Sequence, residues 1–197
     1  MNIEFIYSWI YDNGRRENKH LQEKLKEQGD VYPSSEEIQK EMKEIEKNWR
    51  KEEKEVLDEL TKIIELNWKE DKLKCYILGR GKSISDPLTV TLSNKGEQFI
   101  DTLTHELIHQ LQIQNASLLK KWWELINEKY SKESKVTKNH ILLHALHTKL
   151  LKERYGEERL KINIAKSKDS QDYKRSWEIV NQEGYENIIQ KFKEMLA

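Results

Sequence analysis

The chain has 197 residues, 36% charged and 36% hydrophobic, with seven glycines, two prolines, one cysteine and a formal net charge of zero. This composition excludes a disordered tail and favours one helix-rich domain, and the neutral balance argues against nucleic acid as a main partner. No apolar stretch is long enough to span a bilayer, no basic-then-apolar leader opens the chain, and Cys75 alone can neither pair nor build a cysteine cluster, so a cytoplasmic protein with no membrane partner is expected.

In chain order, Ile3 to Tyr11 is apolar and aromatic and fits either a strand or a short helix. Asn13-Gly14 marks a turn, and Arg15 to Glu27 reads as a polar helix ending near Gly29. Ser34 and Glu37 have capping-box spacing and open a long helix over 34–67, with an apolar stripe through Ile38, Met42, Ile45, Trp49, Val56, Leu60, Ile63 and Ile64. Glu52 and Glu53 interrupt that stripe. Self-association through this helix is an expectation beside simple packing on the core.

Leu73 to Leu78 and Leu88 to Leu92 read as strands around the loop Gly79-Arg80-Gly81-Lys82-Ser83. Asn94 and Glu97 cap a helix whose buried face is Ile100, Leu103, Leu107 and Leu111. Leu118 to Tyr130 is another helix. After the polar break 131–135, Thr137 can cap a helix that runs to Tyr155 and is closed by Gly156. Leu160 to Ile164 is ambiguous, 166–172 is a loop, and Tyr173 to Asn181 and Tyr185 to Leu196 are closing helices. No repeat or linker divides the chain. A single domain over 1–197 is expected, with a helical part at 1–70, a core at 71–156 and C-terminal helices at 157–197.

The chemistry gathers at His105-Glu106-Leu107-Ile108-His109. Histidines four apart on a helix project from one face, and neutral imidazoles are good ligands for zinc. Glu106 lies beside such an ion and can serve as general base toward a zinc-bound water. Five of the six histidines fall in two clusters. In the second, His140, His144 and His147 share one helical face, while Leu142, Leu146 and Leu150 lie on another. A catalytic zinc needs a third protein ligand and one open position, and this second helix can supply that ligand.

These residues resemble the zincin metallopeptidases over roughly Leu73 to Tyr155, most closely a minimal core similar to the gluzincins. The resemblance implies an α+β, mostly helical fold, in which a small antiparallel sheet packs on the HExxH helix and a second ligand-bearing helix. It implies that Leu88 to Leu92 pairs with a peptide or protein substrate, with Val90 and Leu92 as substrate-binding residues. The gluzincin pattern Asn-Glu-x-x-x-Asp is met here by Asn139-His140-x-x-x-His144. That puts His140 at the third-ligand position and His144 at the position that orients a ligand, with His144, deeper in the helix, as the alternative third ligand. Zincin sites add an oxyanion donor, for which His147 is the first candidate and Tyr130, Tyr155, Tyr173 and Tyr185 are others. Arg80, between two glycines, is a weaker candidate for substrate contact. The implied activity is zinc-dependent hydrolysis of peptide bonds. The alternative is a metal-stabilised binding or regulatory module with little or no turnover.

Overall fold

The structure is a computed structural model that describes residues 1–196, Lys168 by its backbone alone. Its elements are β1 (Asn2–Ile6), α1 (Trp9–Arg16), α2 (Lys19–Glu27), α3 (Ser35–Trp49), α4 (Glu53–Ile64), β2 (Lys72–Leu78) and β3 (Thr89–Thr91). They are followed by α5 (Glu97–Gln114), α6 (Lys120–Lys129), α7 (Lys135–Tyr155), α8 (Glu157–Lys166), α9 (Gln171–Glu183) and α10 (Tyr185–Glu194). The fold is α+β and mostly helical, as expected. Its contacts divide it into two units, Met1–Leu57 with Glu70–Gln110, and Asp58–Lys69 with the chain from Leu111 onward. Two of the three boundaries fall within helices, after Leu57 in α4 and after Gln110 in α5. No described helix is long and apolar enough to cross a membrane.

The first unit holds a three-stranded sheet in the order β1-β2-β3. Both pairings are parallel, Ile3 opposite Leu73 in one and Ile77 opposite Val90 in the other. This corrects the antiparallel sheet that the resemblance implies. The segment between β2 and β3 itself makes the reversal. The chain leaves β2 at Leu78, turns through Gly79–Lys82, and runs back with Ile84 antiparallel to Thr89 before entering β3. The antiparallel partner of β3 is therefore its own approach segment.

Around the sheet, α1 is fixed by the buried carboxylate of Asp12. It accepts from the Tyr32 hydroxyl (2.6 Å), the Gly79 amide (2.9 Å), Arg16 (3.0 Å) and the Tyr7 hydroxyl (3.3 Å). Asn13-Gly14 is not a turn but lies inside α1, where Ser8 caps the helix and the Asn13 side chain donates to Glu17. The single helix expected over 34–67 is two helices, broken between Trp49 and Glu53. The break turns Glu53 back toward the sheet. One of its oxygens accepts from the Ile3 amide (2.6 Å) and from Trp49 Nε1 (3.0 Å), while Arg50 donates to the Ile3 carbonyl (2.8 Å). The apolar stripe of α3 and α4 is core: Ile38, Ile45, Trp49, Val56, Leu57, Leu60, Ile63 and Ile64 are all buried.

In the second unit α7 is the hub, packed by α8, α9 and α10. It is buried on most of its circumference, so its sequence lacks the one-sided pattern of a surface helix. Its cap is Ser134 rather than Thr137. The Ser134 hydroxyl accepts from the Thr137 amide (3.0 Å), and Asp172 bonds both hydroxyls. Gly156 closes α7 at φ +88°, a conformation that favours glycine. The ambiguous 160–164 stretch lies in α8, where Leu160 joins Leu151 and Trp177 in a small apolar cluster.

Candidate metal centre

Helix α5 carries the HExxH residues. Leu103, Leu107, Ile108 and Leu111 are almost wholly buried, and so are the polar Asp101, Thr104, Glu106 and Gln110. A helix buried on so many sides presents few side chains outward. His105 and His109 are only half-buried, one turn apart, with ring centroids 5.2 Å from each other.

Glu106 lies 7% exposed. Burial pushes its carboxyl up to about 7. Its charge in turn raises the Cys75 thiol of β2, which burial already drives well above the usual range. Glu106 therefore stands toward the sheet. It is the kind of poised carboxyl that base chemistry near neutral pH requires.

On α7, the Nδ1 of His140 lies 2.7 Å from the Val136 carbonyl. A carbonyl can only accept, so Nδ1 carries the proton and the lone pair lies on Nε2, across the ring from that bond. This is the arrangement of a ligating histidine whose second nitrogen is tied to the backbone. Burial also lowers the His140 pKa, which favours the neutral ring. The Tyr173 ring, 4.3 Å away, packs against it.

His144, one turn on, is held differently. Its ring stacks on Trp177 at 3.9 Å and 7°, and its Nδ1 lies 2.7 Å from Ser176 Oγ. The Ser176 hydroxyl donates to the Tyr173 carbonyl (2.9 Å), so it accepts from a protonated His144 Nδ1. His147, one turn further, is 1% exposed, and burial with the nearby Arg159 charge lowers its pKa to about 3.

The ligand atoms of His105, His109 and His140 all lie within 4.8 Å of one another and can hold a metal ion. His144 and His147 are not in that group. Among the described residues no other His, Cys, Asp or Glu joins it. Val90 and Leu92, expected to face substrate, have buried side chains in β3 and after it. Arg80 is committed to Asp30, at 2.6 and 3.0 Å. Of the tyrosine candidates, Tyr130 donates to Glu183, Tyr155 lies under the Arg159 guanidinium, Tyr185 bonds Glu186, and Tyr173 packs on His140. Sequence reasoning had no role for Ser176 or Trp177, which hold His144 from α9 and carry no local signal in the sequence.

No protein-family model, curated protein or solved structure matches the chain.

Proposed function

We propose that this chain is a zinc-dependent hydrolase of peptide or related amide bonds, with His105, His109 and His140 as the protein ligands and Glu106 as general base. The observation that carries this reading is the convergence of three imidazoles within 4.8 Å, beside a buried glutamate whose carboxyl is raised to about 7. The donor set fits the ion. Three neutral nitrogen ligands would suit zinc, the His140 tautomer would offer Nε2, and a set of three protein ligands would leave room on the ion for water or substrate.

When bound, the ion supplies Lewis acidity toward a carbonyl oxygen and toward water. Val136 holds His140 in its ligating tautomer, and Tyr173 restrains the ring's rotation. Glu106 takes the proton from the attacking water and delivers it to the leaving nitrogen as the carbon–nitrogen bond breaks. Desolvation of Glu106 favours its protonated form after the first transfer, which suits it to the second.

Metal analysis of the purified chain tests the reading, together with hydrolysis of a fluorogenic peptide library. Glu106→Gln should keep its zinc and lose about 10²- to 10⁴-fold in rate, the range of a general base. His140→Ala should lose both metal and rate. A chain that takes up no divalent ion, or a Glu106→Gln variant as fast as the parent, overturns the proposal.

A further inference from the structure

Helices α6, α7, α9 and α10 enclose a cavity of about 190 Å³, lined entirely by residues of the second unit. On α6 the lining positions 122, 125, 126 and 129 recur at helical spacing, so one face of that helix runs along the cavity from Trp122 to Lys129. The floor is apolar. Trp122, Ile126, Ile141 and Ile188 are each at most 4% exposed. The mouth is charged, with Lys129 and Lys191 exposed and Glu183 half-buried between α9 and α10.

The carboxylate at this cavity is engaged, whereas two of the donors are not. Glu183 is the one carboxylate of the lining, and it already accepts from Lys129 Nζ (2.6 Å) and from the Tyr130 hydroxyl. Lys191 has no carboxylate within ion-pair distance among the described residues. Two lysines against one glutamate leave the lining with an excess of one positive charge. Deeper in, Trp122 Nε1 is buried and has no hydrogen-bond partner. An indole N–H can only donate, and a buried donor left unpaired is costly. Phe192 packs edge-on against the Trp122 ring, at 5.5 Å and 86°, and restrains it.

Two unused donors, one of them cationic, beside an apolar floor complement an amphipathic anion. A carboxylate head only accepts, and an apolar body gains by leaving water. The volume limits that body. An apolar cavity of about 150 Å³ holds benzene, so this one takes a branched aliphatic group or a single ring and little more. We propose that the cavity binds a small monocarboxylate of that kind, its head held by Lys191 and the Trp122 indole N–H and its body packed on Ile126, Ile141 and Ile188. Lys129 stays with Glu183, so Lys191 supplies the charge. No residue of α5 lines the cavity, and the site stands whether or not the histidines hold a metal.

The test follows the indole N–H resonances of the isotope-labelled full chain by NMR, that of Trp122 being identified by its contacts with the Phe192 ring. The probe is isocaproate, with isocaproamide as its uncharged isostere and acetate as the head alone. Isocaproate should move the Trp122 indole proton downfield and saturate with a Kd of about a millimolar or tighter. Isocaproamide on the parent, and isocaproate on Lys191→Gln, should each bind about three- to tenfold more weakly, the loss of one charge-assisted hydrogen bond at an exposed rim. Acetate should leave the resonance in place at the same concentrations. A Trp122 indole that stays still up to about 50 mM isocaproate overturns the proposal, wherever else the acid binds, a metal included. Isocaproamide as strong as isocaproate, or an unchanged affinity in Lys191→Gln, removes recognition of the anion and overturns it as well. Acetate acting as strongly as isocaproate does the same for the apolar body.

Discussion

Acidifying the metal-free protein should destabilise it through His147. That side chain is 1% exposed on α7, and burial, with the Arg159 guanidinium nearby, sets its pKa at about 3 against 6.5 for an ordinary histidine. Above pH 6.5 the ring is neutral whether the chain is folded or unfolded, so it contributes no pH dependence there. Below 6.5 the unfolded chain takes up a proton that the folded one refuses, and stability falls until the pH reaches about 3. At 1.36 kcal/mol per pH unit of proton uptake, the loss from this one group is about 2 kcal/mol at pH 5 and about 3 kcal/mol at pH 4. Urea unfolding in the presence of a chelator measures it, since metal release then adds nothing. With a slope of about 2 kcal/mol per molar urea, the parent midpoint should fall by about 1 M between pH 7 and pH 5 from His147 alone. In His147→Leu that component should vanish, whatever the variant's stability at pH 7. Equal pH slopes in parent and variant would refute the argument. So would an imidazole NMR titration placing His147 above pH 5.

The other predictions concern the scaffold and the metal centre. Asp12→Ala removes one acceptor from four donors and should cost about 3–5 kcal/mol by chemical denaturation; a loss under 1 kcal/mol would show the network to be dispensable. Gly79→Ala places a methyl 2.5 Å from Tyr32 Cε1 and 2.9 Å from Pro33 Cγ, which should cost about 1–3 kcal/mol and show as a lowered melting temperature. Val136 binds His140 through its backbone, so Val136→Ala should leave zinc affinity within a few-fold of the parent in chelator competition. Tyr173→Leu, which removes the ring packed on His140, should weaken it about tenfold or more.

Helix α5 was legible because its apolar positions recur every three or four residues and its two histidines are fixed relative to each other by helical geometry alone. The stripe His140, His144 and His147 was legible as a face, but the distinct surroundings of its members were not. His140 is set by a carbonyl one turn back in its own helix. His144 is set by Ser176 and Trp177, some thirty residues away in sequence, and no local pattern announces that packing. The interruption at Glu52 and Glu53 was visible in the stripe, yet reading a helix break there requires knowing that Glu53 reaches the Ile3 amide. The antiparallel sheet that the resemblance implies fails for a related reason. Residue preferences mark where strands lie, whereas direction depends on the path between them, and the reversal here is absorbed within 79–88.

The solitary thiol has a practical consequence. Cys75 lies sealed in β2, with its ionisation suppressed by burial and by Glu106, so alkylating reagents should pass it by in the folded protein. A second cysteine introduced at an accessible position would then take up a spin label or fluorophore by itself, with no background substitution of the native residue. The wild-type chain is in effect already prepared for site-directed spectroscopy.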